Sequence, residues 1–284
     1  MFRRLSLLLL CTALLTAVAA WAPGPDSGEQ ASPAGWDNHT AAAYWTPGRM
    51  AAALPDSTSG TGTHFPGIPT VGVLFSMSAG MKAHFCTASV VHSPQHDLLL
   101  TAGHCRRGSD IAFVPQYTKG AKKQPYGIWA VDKVYSDPRW SLTGTGSNYD
   151  YAFVKVKPNA SGKQVEDVTG ANRLGRTPSW HNTVTVVGYP NDGNDSDPGN
   201  RPIACTTRTS RLSDDLDQMR IDCGGFYGGT SGSPWLVHYS ARTGTGTVIG
   251  LIGGEGGGGP NDRISYSPFL GDSIKQLYAK AISS

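Results

Sequence analysis

The segment Gly229-Thr-Ser-Gly-Ser-Pro234 places the hydroxyl of Ser231 among small residues. A serine hydroxyl is a poor nucleophile near neutral pH, so a protein that uses one needs a base and hydrogen-bond donors for the oxyanion. Glycines at 229 and 232 permit a sharp turn that would aim the Gly229 and Ser231 N–H groups at one point. Clusters of Gly, Ser and Thr are also common in ordinary loops. The motif therefore indicates catalysis only if a base accompanies it.

A candidate base lies upstream, at His104 in the segment Thr101-Ala-Gly-His-Cys105. The apolar run that begins at Leu98 predicts a strand, and His104 follows the end of that strand. Histidine can remain neutral near pH 7 and accept a proton, as a general base must. The other histidines have no such setting and are interpreted as surface or core residues: His39, His64, His84, His92, His96, His181 and His238.

The first twenty residues have the pattern of a secretory signal peptide. Arg3 and Arg4 precede a mostly apolar run, and small residues favour cleavage after Ala19 or Ala20. The run is short for a membrane span, and the flanks of Cys11 do not suit a lipoprotein, so a retained anchor is the weaker alternative. We expect a secreted, extracellular protein that does not associate with a membrane.

The remaining cysteines form an even set of four, which in an oxidising compartment predicts two disulfides with three possible pairings. Local pairing, Cys86–Cys105 and Cys205–Cys223, is favoured because each bond closes a short loop. Each would stabilise the fold by about 3 kcal/mol on a loop-entropy model. Zinc is the alternative, but the chain has no Cys-x-x-Cys pair and its histidines are scattered. No metal and no cofactor are expected.

The composition favours short strands and tight turns. Glycine is abundant, with 36 residues, and the formal net charge of +3 falls by two once Arg3 and Arg4 are removed. Nucleic acid is therefore not an expected partner. The turn-rich stretch from Asn191 to Asn200 carries carboxylates that could bind calcium, although a solvated loop is the favoured interpretation.

The chain divides into segments of different character. Residues 21–62 are interpreted as a prosegment or flexible linker, with a short helix near 47–53. Short apolar or β-branched runs follow, and such runs are typical of barrels or a sandwich. The runs are Val71–Phe75, Cys86–Val91, Leu98–Thr101, Ile111–Val114, Gly127–Val131, Tyr151–Val156, Thr183–Gly188, Gln218–Asp222, Ser233–Val237 and Val248–Ile252.

A helix is predicted at the C-terminus, over residues 272–283. Asp272 can cap it, and an apolar stripe follows at helical spacing. The stripe consists of Ile274, Leu277, Tyr278, Ala281 and Ile282.

Three motifs in order resemble the trypsin/chymotrypsin superfamily of serine proteases: T-A-G-H-C at 101–105, N-Y-D-Y-A-F-V-K-V at 148–156 and G-T-S-G-S-P at 229–234. The Ser-Gly-Ser-Pro ending and V-V-G-Y-P at 186–190 are similar to the secreted bacterial glutamyl-endopeptidase-like (V8-like) branch. The resemblance implies an all-β fold of two six-stranded antiparallel Greek-key β-barrels with a C-terminal α-helix. The barrels would span about 63–172 and 178–270, within a protease domain covering 63–284.

The resemblance also implies roles for individual residues. Ser231 would be the nucleophile of a serine endopeptidase, His104 the general base and then acid, and Asp150 the carboxylate that orients His104. Asp132 and Asp137 are alternatives for that carboxylate. The Gly229 and Ser231 amides would form the oxyanion hole. Substrates would be proteins or peptides, and the default oligomeric state is a monomer.

Two positions depart from the superfamily. Thr230 replaces the aspartate that most animal members pair with a newly cut amino terminus, so activation by that ion pair is not implied. Glutamate-specific members have a histidine on the strand of the pocket wall, and the matching stretch here is Ile249–Glu255. If Ile252 occupies that place, a glutamate preference is not implied.

The pocket for the substrate side chain is expected from residues on either side of the nucleophile: Gly225, Phe226, Gly253, Gly254 and Glu255. Glu255 either attracts an arginine or lysine side chain of the substrate, or is a solvated glutamate in the glycine-rich loop 253–259.

Two other functions compete with proteolysis. A binding protein could keep the fold and lack the chemistry, but the sequence retains every member of the triad. An esterase of another architecture would need Gly-x-Ser-x-Gly with the histidine after the serine. Here position 233 is serine and His104 precedes Ser231, so the order argues against an esterase.

Overall fold

The computed structural model describes residues 30–31, 35–46, 63–78, 81–106, 108–191 and 200–283. The signal peptide predicted at 1–20 and the helix predicted at 47–53 lie outside these ranges. So do the carboxylates of the possible calcium-binding stretch, at Asp192, Asp195 and Asp197. No helix in the described part of the chain is long and apolar enough to span a membrane.

Most regular structure is β. In chain order the strands are β1 (Gln30–Ala31), β2 (Thr63–His64), β3 (Val71–Ser78), β4 (Met81–Val90), β5 (Leu98–Thr101), β6 (Ser109–Pro115), β7 (Trp129–Ser136), β8 (Ala152–Val156), β9 (Arg173–Leu174), β10 (Thr183–Gly188), β11 (Ile203–Arg208), β12 (Ser210–Arg211), β13 (Gln218–Asp222), β14 (Pro234–Ser240), β15 (Thr245–Leu251) and β16 (Ile264–Pro268). The helices are α1 (Asn38–Tyr44), α2 (Val165–Thr169) and α3 (Asp272–Ile282), with short 3-10 helices at Gly103–Arg106, Gly144–Tyr149 and Glu255–Gly257.

The first half of the protein is a closed six-stranded barrel. Its strands follow the order β7-β6-β3-β4-β5-β8, and antiparallel pairing of β7 with β8 closes the ring. Large side chains such as Phe75, Phe113 and Phe153 are fully buried in its core. Closure leaves no free edge inside the ring, so the loops at its ends are held by a rigid frame.

The second half consists of two sheets. One has the order β2-β11-β10-β14-β15-β9, and the other has the order β12-β13-β16. The sheets are linked where the Leu251 N–H donates to Ser267 Oγ and the Gly253 N–H donates to the Tyr266 carbonyl, at 2.9 and 3.0 Å. Trp235 lies fully buried in the core of this half. The expected all-β fold class of two barrel halves and a C-terminal helix is confirmed.

Two short strands refine the boundaries of the halves. β2, expected at the start of the first barrel, pairs instead with β11 of the second half. β9 runs parallel to β15 and is the parallel exception in an otherwise antiparallel sheet. The chain between β8 and β10 therefore joins the second half before Thr183.

The C-terminal helix α3 is present and presents the predicted stripe to the body of the protein. Ile274, Leu277 and Ala281 are buried, and the Tyr278 ring packs edge-on against Phe153, with ring centroids 5.6 Å apart. The expected cap is wrong: Gly271 is the N-cap residue and makes no side-chain cap bond. Asp272 lies in the first turn and forms an ion pair with Arg176.

Part of the segment expected to be a prosegment or linker packs on the first barrel. The Trp36 and Trp45 indole N–H groups donate to the carbonyls of Ile111 and Asp110, at 2.8 and 3.2 Å. Trp45 is fully buried. Residues 35–46 are thus part of the folded unit, because burial of an indole supplies a large hydrophobic stabilisation.

Both favoured disulfides are present, Cys86–Cys105 in the first half and Cys205–Cys223 in the second. The first joins β4 to the 3-10 helix that carries His104. The second joins β11 to the segment that follows β13, and so links the two sheets of the second half.

Candidate active site

His104 and Asp150 lie at the ends of two neighbouring strands of the first barrel. The 3-10 helix Gly103–Arg106 follows directly on β5, and Asp150 stands just before β8, the strand that pairs with β5. Gly103 permits close approach, since a Cβ there would lie 3.1 Å from Asp150 Oδ1. The barrel ladder therefore brings the two side chains together.

The Asp150 carboxylate is fully buried and receives three N–H donors. His104 Nδ1 lies 2.8 Å from Asp150 Oδ2, the His104 backbone N–H donates to Oδ1 at 2.8 Å, and the Gly254 N–H donates to Oδ2 at 2.8 Å. A buried carboxylate needs such donors to offset its lost hydration. Because an ionised carboxylate only accepts, Nδ1 carries the ring proton and the Nε2 lone pair is left to act as a base.

Ser231 comes from the second half and is fixed against the first by Thr87 on β4. The Thr87 N–H donates to the Ser231 carbonyl at 2.8 Å, and its hydroxyl donates to the Gly229 carbonyl at 2.9 Å. Gly232 must be glycine here: its φ is +86°, and a Cβ would lie 2.2 Å from the Thr87 carbonyl oxygen. These contacts hold the Ser231 turn against β4 of the first barrel.

Ser231 lines a cavity of about 240 Å³ between its own loop and the segment 257–262. Gly257 lies on the wall of this cavity, and a Cβ placed on it would stand 4.0 Å from His104 Cε1. The imidazole therefore lies close to the wall of the cavity that Ser231 lines. The His104 side chain is 20% exposed.

The backbone around Ser231 turns sharply and leaves one N–H group unbonded among the described residues. Gly229 has a φ of +86°, a left-handed conformation that favours glycine. Among the described residues, the Ser231 N–H has no hydrogen-bond acceptor. A carbonyl oxygen of a bound substrate could take that position.

Residues 86–251 match the family model of the trypsin-like peptidase domain, which is more than half of the chain. The chain belongs to this family. It is a serine-type peptidase, and the expected resemblance to the trypsin/chymotrypsin superfamily is confirmed. No curated protein sequence matches the chain significantly.

Solved structures share the fold of this peptidase. Protease Anisep from Arthrobacter nicotinovorans is 24% identical, with a TM-score of 0.66, over 79% of this chain and 100% of that one. A thermostable serine protease, AL20, from an extremophilic microorganism is 21% identical, with a TM-score of 0.61, over 76% and 98%. A Glu endopeptidase solved with MPD is 16% identical, with a TM-score of 0.55, over 82% and 100%.

The cavity of the peptidase is built differently from the predicted pocket. Phe226 and Ile252 line it, together with Gly257–Gly259 and Asp262. Gly225, Gly253, Gly254 and Glu255, expected there from the sequence, lie outside the lining. Gly253 and Gly254 lie against Asp150 instead: a Cβ on Gly253 would stand 3.1 Å from Asp150 Oδ2, and Gly254 donates its N–H to the same oxygen.

Glu255 turns away from the cavity toward the loop that precedes Asp150. Its Oε2 accepts from the Gly144 N–H at 2.8 Å and from Ser147 Oγ at 2.9 Å. The carboxylate therefore does not line this cavity, and it is bonded instead to the loop that precedes Asp150. It links the second half of the peptidase to the 3-10 helix Gly144–Tyr149.

Gln218 belongs to the same network and was not singled out from the sequence. It is fully buried, its Nε2 donates to Ser147 Oγ and Asn148 Oδ1 at 2.7 and 3.0 Å, and its Oε1 accepts from the Glu255 N–H at 2.9 Å. A glutamine at the start of β13 carries no local signal for this role. Its importance arises from contacts with residues distant along the chain.

The alternative carboxylates are engaged away from His104. Asp137 forms a two-point ion pair with Arg139, at 2.9 and 2.6 Å. Asp132 is half-exposed, 3.8 Å from Lys157 Nζ. Thr230 is buried and donates its hydroxyl to the Tyr227 carbonyl at 2.7 Å, which gives the residue before Ser231 a neutral local partner.

Proposed function

We propose that this peptidase is a secreted endopeptidase that cleaves peptide bonds through an acyl-enzyme on Ser231, with His104 as general base and then acid. The observation that carries the proposal is the His104–Asp150 pair, with His104 close to Gly257 on the wall of the cavity that Ser231 lines. The Gly229 and Ser231 amides are the proposed oxyanion donors, each contributing roughly 3 kcal/mol to transition-state stabilisation.

In the proposed reaction, His104 Nε2 takes the hydroxyl proton of Ser231 as Oγ attacks the carbonyl carbon of the substrate. The imidazolium then gives that proton to the leaving amine, and the C–N bond breaks to leave an ester on Ser231. Water, deprotonated by His104, hydrolyses the ester and restores the hydroxyl. Asp150 keeps the proton on Nδ1 and stabilises the imidazolium throughout.

Secretion is supported by the signal-peptide pattern at residues 1–20 and by the two disulfides, which form in oxidising compartments. Amino-terminal sequencing of protein recovered from the medium of an expressing culture tests this part. We expect the exported chain to begin after Ala19 or Ala20, or further along if a prosegment is removed. Retention of the complete chain in the membrane fraction would contradict export.

Labelling with a fluorophosphonate probe tests the nucleophile. The parent protein is expected to be labelled at Ser231, whereas Ser231→Ala and His104→Ala are expected to lose both labelling and cleavage. Ser161→Ala is the matched control, because Ser161 is exposed and lies outside the cavity lining. Undiminished labelling of Ser231→Ala would overturn the assignment.

Cleavage inside a chain distinguishes an endopeptidase from an exopeptidase and from a binding protein of the same fold. A peptide substrate with an acetylated amino terminus and an amidated carboxyl terminus is expected to be cut internally, with fragments identified by mass spectrometry. A correctly folded, fully exported protein that neither takes the label nor cuts this peptide would favour the binding protein.

A further inference from the structure

We propose that Asp262 sets the substrate preference of this peptidase, by accepting the cationic side chain of an arginine or lysine that precedes the scissile bond. The inference rests on the proposed function, since it assigns the cavity beside Ser231 to that substrate side chain. It names a residue that the sequence motifs do not single out.

Asp262 and Ser231 line the same cavity. A volume of about 240 Å³ is smaller than the roughly 300–1,000 Å³ of sites for drug-sized ligands, so it suits a single side chain. The residue that precedes the scissile bond is the one whose carbonyl carbon Ser231 attacks. Its side chain is therefore the one placed nearest this cavity.

The backbone at Asp262 is held in place by the segment that leads to Ser231. The Phe226 N–H donates to the Asp262 carbonyl at 3.1 Å, and the Cys223 N–H donates to the Arg263 carbonyl at 2.8 Å. Asn261 Oδ1 accepts from the Arg263 N–H at 2.9 Å and closes a tight turn around Asp262. Cys223 is itself anchored by its disulfide to Cys205, so the carboxylate is carried on a rigid support.

The Asp262 carboxylate has no hydrogen-bond or ion-pair partner among the described residues. Asp262 is half-buried, and the described lining holds no other aspartate and no glutamate, lysine or arginine. A partly desolvated carboxylate without a partner favours a cation, which replaces lost hydration by a charge-assisted hydrogen bond.

The remaining walls suit the aliphatic part of a basic side chain. Phe226 and Ile252 are buried apolar residues of the lining, and they would cover the methylene groups of lysine or arginine. Gly259 permits close backbone packing at this wall, where a side chain would not fit. Its φ is +139°, and a Cβ there would lie 2.1 Å from the Ile264 carbonyl oxygen. The apolar stem of a lysine or arginine would therefore lie against Phe226 and Ile252, and its charged end would lie near Asp262.

The other acidic residue near the site is not a competing acceptor. Glu255 is bonded to Gly144 and Ser147 and does not line the cavity. Glu255→Gln should therefore leave the preference between cationic and neutral substrates unchanged, whereas changes at Asp262 should alter it.

The test uses the exported protein and peptides that differ only before the scissile bond, where they carry arginine, citrulline, leucine or glutamate. Citrulline has nearly the shape of arginine without the charge, so the ratio of kcat/KM for the two reports the charge contact. We expect arginine to exceed citrulline by about tenfold or more. Equal rates for the two peptides would overturn the proposal without need of any variant.

Variants then assign the effect to Asp262. In Asp262→Asn, the arginine-to-citrulline ratio is expected to fall toward one while cleavage of the citrulline peptide continues. Asp262→Lys is expected to disfavour arginine and improve the glutamate peptide. Asp215→Asn is the matched control, because Asp215 is exposed and lies outside the lining. An unchanged ratio in a folded Asp262→Asn protein would refute the assignment.

Fluorophosphonate labelling separates failure of this inference from failure of the proposed function. A protein that is labelled at Ser231 and cuts all four peptides equally remains a serine endopeptidase without the Asp262 preference. A protein that is neither labelled nor active contradicts the proposed function itself, and with it this inference.

Discussion

At the scale of single residues, Asp150 is the most constrained side chain of the site. It is fully buried, and its carboxylate accepts from the His104 ring, the His104 backbone and Gly254. Every one of these partners is a donor, so only a group with two accepting oxygens satisfies them all. The position therefore requires an acid for structural reasons, in addition to its proposed role in orienting His104.

Asp150→Asn is expected to lower kcat by about 10⁴-fold, since an amide facing Nδ1 favours the wrong imidazole tautomer. The amide N–H group introduced by this substitution would face a buried donor. It is therefore also expected to lower the free energy of unfolding by about 1–3 kcal/mol. Steady-state kinetics and urea unfolding measure the two effects. Asp132→Asn, at the half-exposed alternative carboxylate, should change neither by much. An Asp150→Asn protein of unaltered kcat would show that another group orients His104.

Thr87 is the second residue whose role is visible only in three dimensions. Its hydroxyl donates to the Gly229 carbonyl and accepts from the Tyr189 N–H at 3.1 Å, while its backbone N–H holds the Ser231 carbonyl. The hydroxyl thus holds the Gly229 carbonyl, and the backbone N–H of the same residue holds the Ser231 carbonyl. A threonine on a barrel strand gives no local sign of such a function.

Thr87→Val keeps the shape of the side chain and removes the hydroxyl. We expect kcat to fall about tenfold with KM little changed, because the Gly229 carbonyl loses its hydrogen bond and the proposed oxyanion donors would act mainly in the transition state. Thr183→Val, on an exposed position of β10, is the matched control. A rise in KM at constant kcat would indicate that Thr87 supports substrate binding instead.

At the scale of elements, the turn between β4 and β5 is tied to α2 by a cluster of charges. His96 Nδ1 lies 2.6 Å from Asp167 Oδ1, and His92 Nδ1 lies 2.6 Å from Glu166 Oε1. The hydrogen bond to Asp167, followed by the charge of Glu166 and smaller contributions from Asp167 and Asp97, raises the pKa of His96 above its ordinary 6.5. The hydrogen bond from His96 in turn lowers the pKa of Asp167 below 3.8.

These shifts predict a window of pH in which the cluster stabilises the fold. The raised pKa of His96 gives a contribution that is complete below pH 6.5 and is lost as pH rises through the folded-state value. The lowered pKa of Asp167 gives one that is present above pH 3.8 and is lost as pH falls through its folded-state value. The cluster should therefore stabilise the fold most between about pH 3.8 and pH 6.5.

His96→Asn tests the window, since asparagine tolerates the φ of +59° found at His96. The Tm of this variant is expected to lie below that of the parent near pH 5 and to approach it above pH 8. His238→Asn, at an exposed histidine of β14 whose φ of +53° is also left-handed, is the matched control and should follow the parent at every pH. If the Tm of His96→Asn lies below that of the parent by the same amount at every pH, the loss would come from packing and not from the charge of His96.

At the scale of the whole molecule, the site exists because two halves meet. The first barrel supplies His104 and Asp150, the second half supplies Ser231 and the cavity wall, and the bonds of Thr87, Gln218 and Glu255 cross between them. The two disulfides lie on either side of this junction. Cys86 and Cys105 flank Thr87 and His104, whereas Cys205 and Cys223 brace the second half.

The disulfides should therefore differ in their effect on activity. Their sequence separations are nearly equal, 19 and 18 residues, so replacing either pair by serine should cost a similar stability, about 3 kcal/mol. Loss of Cys86–Cys105 is expected to lower kcat as well, because it releases both Thr87 and His104. Urea unfolding and kcat measured under folding conditions check this. Equal kcat in the two double variants would contradict the argument.

The sequence by itself determined the elements with strong local patterns. Apolar runs such as Leu98–Thr101 and Thr183–Gly188 became β5 and β10, and the stripe from Ile274 to Ile282 became the buried face of α3. β11 and β16 were missed because neither contains an apolar run: β16 buries Ser265 and Ser267 and ends at Pro268, and the second half of β11 is polar. They form strands through pairing with β10 and β13, which supplies ladder bonds that local propensity does not predict.

The motifs around His104, Asp150 and Ser231 likewise identified the candidate chemistry, because those residue types and their neighbours are local features of the chain. What lines the cavity was decided only by tertiary structure. Glu255 and Asp262 are both acids near the same glycine-rich stretch, yet Glu255 is bonded to Gly144 and Ser147 whereas Asp262 is among the residues that line the cavity. The physical reason is that the direction of a loop side chain depends on donors far along the chain, and sequence order does not encode their positions.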